Sequence, residues 1–127
     1  MPENQKPSPK KGASRVLHAF KYSLSGINHA FRNEAAFREE VLLLIPLSII
    51  ALVLPFDSLI KILLISVHLF ILIVELLNSG IEAVVDKASP EFHALAKQAK
   101  DMGSAAVLLS FLMLLICWAY AIANHYF

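Results

Sequence analysis

A long apolar run, Leu59 to Val74, passes without a break into Glu75-Leu76-Leu77-Asn78-Ser79-Gly80-Ile81-Glu82-Ala83-Val84-Val85-Asp86. A helix advances about 100° per residue, so Glu75, Asn78, Ser79, Glu82 and Asp86 fall within roughly a 100° arc. Lys61 and His68 lie on the same arc, and the opposite side is Ile, Leu, Val and Ala. A helix long enough to cross a bilayer therefore carries an acidic, polar stripe along one edge. Carboxylates at bilayer depth are costly, face protein or water rather than lipid, and mark a functional site by default. Ser and Asn alone would suit helix–helix contact. Two Glu two turns apart bring charge or a shifted titration, which mere contact does not need.

Composition agrees. The chain has 127 residues, room for one domain, of which 57% are hydrophobic. With a mean hydropathy of +0.64, so many apolar side chains exceed the interior of a soluble domain of this size, and the excess implies lipid exposure. The net charge of +1 gives no sign of nucleic acid as a partner. The single cysteine, Cys117, sits beside Trp118 in an apolar run, so no intrachain disulfide forms and no His/Cys zinc spacing exists. No cleavable signal peptide is expected, because the basic N-terminus leads into an amphipathic segment.

Residues 1–13, with their Pro and Lys, are expected to be disordered, with weak attraction to anionic headgroups. Residues 14–127 form one domain without internal repeats. Ser14 is expected to cap a helix over 14–32. There Val16, Leu17, Phe20, Leu24, Ile27 and Phe31 share one face, opposite Arg15, His18, Lys21 and Arg32, the pattern of a helix lying on a membrane surface. A soluble partner helix is the alternative. Val41 to Phe56 is apolar but spans only roughly 24 Å as a helix, short of a bilayer core of roughly 30 Å. The first span is therefore placed at about 35–56, with Glu34 and Glu40 near the interface and a bend expected at Pro46. Asp57-Ser58 caps a second span over 59–85. Pro90 ends any continuing helix and is a candidate start for the next. Residues 94–101 form a polar helical lead-in to a third span over 103–126. Trp118, Tyr120 and Tyr126 lie toward one end of that span, and the small residues Gly103, Ser104, Ala105 and Ala106 permit close packing. The predicted fold is thus an all-α membrane protein, one amphipathic surface helix and three transmembrane helices.

Lys6, Lys10, Lys11, Arg15, Lys21, Arg32 and Arg38 precede the first span, and Lys87, Lys97 and Lys100 flank the second loop. Only Lys61 lies near the first loop. The positive-inside rule then puts the N-terminus and the 86–100 loop in the cytoplasm and the C-terminus outside. Glu34, Glu82, Asp86, Lys100 and Asp101 gather at the cytoplasmic face, with Glu75 about 10 Å deeper than Glu82. There is no GxxxxGK[ST] loop and no GxGxxG. The residues by themselves define an intramembrane acidic site open to the cytoplasm, and a small proton- or cation-conducting oligomer fits them nearly as well.

Three segments narrow the choice: Glu75–Asp86, Asn33-Glu34-Ala35-Ala36-Phe37-Arg38, and Ala99-Lys100-Asp101-Met102-Gly103-Ser104-Ala105-Ala106-Val107. In order and spacing they resemble the small bacterial integral-membrane diacylglycerol kinases, over nearly everything from Arg15 to the C-terminus. The resemblance implies ATP-dependent phosphorylation of diacylglycerol to phosphatidic acid. It also implies a homotrimer in the bacterial inner membrane, with a cytoplasmic N-terminus and a periplasmic C-terminus. An undecaprenol kinase is the nearest alternative. Carried over by position, Glu75 resembles the catalytic base and Asn78, one turn away, a polar partner able to orient it. Glu34 and Glu82 resemble the ligands of Mg²⁺ and ATP. Arg15, Tyr22, Lys100 and Asp101 match nucleotide-site positions. Arg15, Ser23, Glu40, Lys61, Glu75 and Ser104 match positions lining the lipid substrate. These roles suit the chemistry: Mg²⁺ prefers one or two carboxylates plus phosphate oxygens, Lys pairs with phosphate as a point charge, and a buried carboxylate suits a base. Two positions depart from the family pattern: Gly80 stands where Ala is usual, and Lys61 where Arg can occur. His68 is expected to pack or to hydrogen-bond between helices. His18 and His29 are expected to face solvent or headgroups, and His93 is a loop residue able to approach the nucleotide.

Overall fold

A computed structural model describes residue 8 and residues 11–127, and the expected disorder of the N-terminus falls mainly outside these. Four helices follow one another: α1 (Ala13–Asn33), α2 (Ala35–Val53), α3 (Ser58–Ala88) and α4 (Ala94–Tyr126). The ends have local causes. Gly12, at φ 66°, turns the chain into α1, and its carbonyl accepts from Arg15 N–H at 3.0 Å. A left-handed φ suits glycine, so the cap falls there and Ser14 lies inside the first turn instead. α2 stops at Val53 rather than at 56, because Leu54 precedes Pro55 and adopts an extended ψ of 147°. Pro46 lies within α2, which stays helical on both sides of it. Asp57 occupies the N-cap of α3 without a side-chain hydrogen bond. α4 does not start at Pro90. It starts after His93, whose Nδ1 accepts from Leu95 N–H at 3.1 Å, and it runs unbroken through the polar lead-in.

α3 is the central element, packed chiefly on α4, then on α2, with α1 touching α2 and α3. Its buried side chains are Ile60, Leu64, Val67, His68, Ile71, Glu75 and Asn78, a single stripe at helical spacing. The core has two parts. Ala51, Phe56, Ile60, Leu64 and Ala121 fill one, and Leu44, Val67, Ile71 and Leu114 fill the other. Between them His68 joins three helices. Trp118 Nε1–H donates to His68 Nε2 at 3.1 Å, and Nδ1 meets Ser48 Oγ at 2.8 Å. This is the interhelical role expected for His68.

The opposite faces stay apolar and exposed: Leu42 and Val53 on α2, Leu69 and Leu77 on α3, Leu108 and Leu115 on α4. α3 and α4 are each long and apolar enough to cross a membrane, yet only 39% and 17% of their most apolar stretches is buried. The core helix of a soluble protein would be mostly buried, so these faces are built for lipid or for other chains. α2 carries Arg38, Glu39 and Glu40 near its start and is not among the helices that meet the same length and composition test. α1 presents Val16, Leu17, Phe20, Leu24, Ile27 and Phe31 as exposed side chains.

Candidate active site

The acidic stripe of α3 turns inward. Glu75 is 4% exposed and Asn78 8%, while Glu82, two turns nearer the α3–α4 loop, is half-buried. α2 adds Glu40, also buried, whose side chain meets that of Glu75. Ser79 also contacts Glu75, and the charges of Glu82 and Glu34 act on it. Four carboxylates from the α1–α2 corner, α2 and α3 thus face one region. Glu40 Oε2 and Asn78 Oδ1 are buried there without a hydrogen-bond partner.

Asn78 does not orient Glu75 in this arrangement. Its amide donates to Glu82 Oε1 at 3.4 Å. Its oxygen lies against Gly103 of α4, where a Cβ would overlap it. The sequence marks Gly103 only as a small residue, and the partner that requires its smallness lies on another helix.

Glu34 stands at the corner between α1 and α2 with an extended backbone, φ −106° and ψ 111°. It edges a cavity of about 470 Å³ between α1 and α3, also lined by Ser23, Ala30, Leu76, Ser79 and Gly80. A Cβ at Gly80 would meet open space, so the departure from Ala there leaves the packing unchanged. Ser23 donates to Ala19 O at 3.0 Å within α1. Arg15 and Tyr22 are exposed on α1, where Tyr22 stacks with His18.

A second cavity, of about 380 Å³, opens at the α3–α4 loop beside Asp86, His93, Lys97, Lys100 and Asp101. Lys100 pairs with Asp86, and Lys97 with Asp101 at 2.6 Å. The hydrogen bond that Lys100 donates to the Asp86 carboxylate holds its ammonium above the usual lysine range, so it stays charged at working pH. Ser104 is exposed on α4. Lys61 stands apart: it lies about 21 Å along α3 from Glu75, and its ammonium donates to Leu52 O at 2.7 Å.

The donors suit a hard cation: they are carboxylate and amide oxygens. Among the described residues no three His, Cys, Asp or Glu are grouped to hold a metal alone.

A small all-helical chain with two exposed apolar spans, and with Glu75 of α3 and Glu40 of α2 buried against each other, has the make-up of a membrane protein. The family model described as prokaryotic diacylglycerol kinase matches residues 21–122. The diacylglycerol kinase of Escherichia coli K12 is 44% identical over 115 residues, 91% of this chain and 94% of that one. That of Pseudomonas aeruginosa PAO1 is 50% identical over 116 residues, 89% and 94% of the two chains. That of Helicobacter pylori J99 is 38% identical over 121 residues, 95% and 94%. The chain belongs to the prokaryotic diacylglycerol kinase family, an enzyme family of bacterial membranes.

Proposed function

We propose that this enzyme transfers the γ-phosphoryl group of ATP to the free hydroxyl of membrane diacylglycerol, forming phosphatidic acid and ADP. One observation carries the assignment of roles. Glu75 is buried on the same face of α3 as Glu82, about 10 Å further along the helix. A lipid hydroxyl approaching from the membrane can reach the deeper carboxylate, while a nucleotide approaching from the loop side meets the shallower one. Glu75 takes the hydroxyl proton as the lipid oxygen bonds to the γ-phosphorus and the bond to ADP breaks. Glu34 and Glu82 would hold Mg²⁺ with ATP. Bound there, the metal supplies neutralisation of phosphate charge. Asn78 fixes Glu82 through its amide, and Lys100 offers the phosphates a cation. Arg15, Tyr22 and Asp101 complete the nucleotide site. Ser23, Glu40 and Ser104 line the path of the lipid, and Lys61 meets it at the far end of α3.

In this arrangement α1 lies on the cytoplasmic membrane surface and α2, α3 and α4 cross the inner membrane. The N-terminus is cytoplasmic, the C-terminus is periplasmic, and exposed apolar faces pack in a homotrimer. Purified protein in lipid, given labelled ATP and either diacylglycerol or undecaprenol, tests the assignment. Label should enter phosphatidic acid. Transfer to undecaprenol alone would reassign the acceptor, and transfer to neither would favour an ion-conducting oligomer.

A further inference from the structure

We propose that Arg38 is a positioning residue, whose guanidinium straps the end of α1 to the start of α2 and so sets the corner from which Glu34 reaches the nucleotide. The proposal rests on Glu34 as a ligand of Mg²⁺ and ATP. A helix ends with carbonyls that its own N–H groups cannot satisfy. In α1, Ala30 O is taken by Glu34 N–H at 2.8 Å. Phe31 O and Arg32 O, next in line, are taken by the guanidinium of Arg38, both from Nη1, at 3.1 and 2.9 Å. Arg38 does not belong to α1. It sits in α2, beyond the corner, and reaches back across it.

The backbone of the same residue holds the other side. Arg38 N–H donates to Glu34 O at 3.2 Å, the bond that opens α2. Glu34 is thereby fixed twice, its N–H to the end of α1 and its carbonyl to Arg38, while the Arg38 side chain binds α1 directly. A cation at a helix C-terminus is also favoured by the helix dipole. Among the described residues Arg38 makes no ion pair with Asp or Glu, so its charge is directed at these carbonyls. The angle between α1 and α2 decides two things: where the Glu34 carboxylate points, and how α1 roofs the cavity of about 470 Å³ beside Ser79. α1 makes few other contacts with α2 and α3, so one strap weighs heavily.

The test combines kinetics with a distance, in full-length protein with Cys117→Ala and spin labels at residues 21 and 87. Arg38→Gln should broaden the distance between α1 and α3. It should raise KM for Mg–ATP by about tenfold, the scale of one lost charged hydrogen bond, with a smaller fall in kcat. Arg38→Lys keeps a donating cation without the guanidinium plane and should recover part of both. In a Glu34→Gln background Arg38→Gln should add little, since the residue it positions is already disabled. An unchanged distance in Arg38→Gln would overturn the strap. Independent, multiplying effects of Arg38→Gln and Glu34→Gln would overturn its action through Glu34. An ordinary KM in Glu34→Gln would instead contradict the ligand assignment, and the distance would still decide the strap. Should Arg38→Gln fail to assemble, Arg38→Lys carries the same comparison.

Discussion

Gly103 of α4 lies so close to Asn78 of α3 that a Cβ on Gly103 would overlap the Asn78 side-chain oxygen, with Asn78 Cγ only 3.3 Å away. The missing Cβ leaves the amide room to sit where its nitrogen reaches Glu82. Gly103→Ala must displace it. We expect an assembled enzyme whose kcat/KM falls about tenfold or more, the scale of misplaced active-site groups. Adding Asn78→Ala to Gly103→Ala should cost little further, because the two changes disable one contact. Steady-state kinetics of the two single variants and the double variant measure this.

The link from Trp118 through His68 to Ser48 ties α4, α3 and α2 together between the two halves of the core. An indole N–H can only donate, so His68 Nε2 accepts and Nδ1 carries the ring proton toward Ser48. Trp118→Phe and His68→Leu, singly and together, should show a coupling of about 0.6 kcal/mol, and no more than about 1.7, as for other hydrogen bonds between membrane helices. A double-mutant cycle of unfolding in detergent micelles reads it.

The proposed topology, with the N-terminus in the cytoplasm, rests on the Lys and Arg residues near α1 and the α3–α4 loop. A cysteine placed at residue 126, in a Cys117→Ala background, should react with a membrane-impermeant reagent only from the outer side of oriented vesicles. Labelling only from the cytoplasmic side would reverse the topology.

Much of the fold is legible in the sequence because apolar spacing and chain breakers are local signals. Leu59–Val74 and the stripe after it announce α3, and the face of Phe20, Leu24 and Phe31 announces α1. The acidic cluster is legible for the same reason, since Glu75, Asn78 and Glu82 share one helix. Contacts between helices are not. Ser48 and Trp118 lie 20 and 50 residues from His68. Nothing local says that Arg38 turns back to α1, or that Gly103 faces Asn78. The start of α4 at Ala94 is legible as a polar helical lead-in, and backbone hydrogen bonds, indifferent to the change of polarity after Asp101, carry one helix through into the apolar span.

The apolar face of α1 is exposed, and the cavity beneath α1 opens beside Ser23 and Ile27. If that face seats in lipid and admits the acceptor sideways, Leu24→Asp should raise the apparent KM for diacylglycerol at least about tenfold and leave that for ATP within about twofold. Mixed-micelle kinetics with each substrate varied in turn provide the comparison. Unchanged lipid kinetics in a folded variant would remove α1 from the lipid path.

The separation of roles along α3 rests on Glu75, and Glu75→Gln probes it most directly. Gln keeps the shape of the buried side chain and removes its ability to take a proton. In the assembled enzyme kcat should fall about 10²-fold or more while ATP binding survives. Glu82→Gln and Glu34→Gln should weaken Mg–ATP binding instead. Near-normal kcat in an assembled Glu75→Gln enzyme would contradict Glu75 as the base and leave the deep carboxylate a structural part.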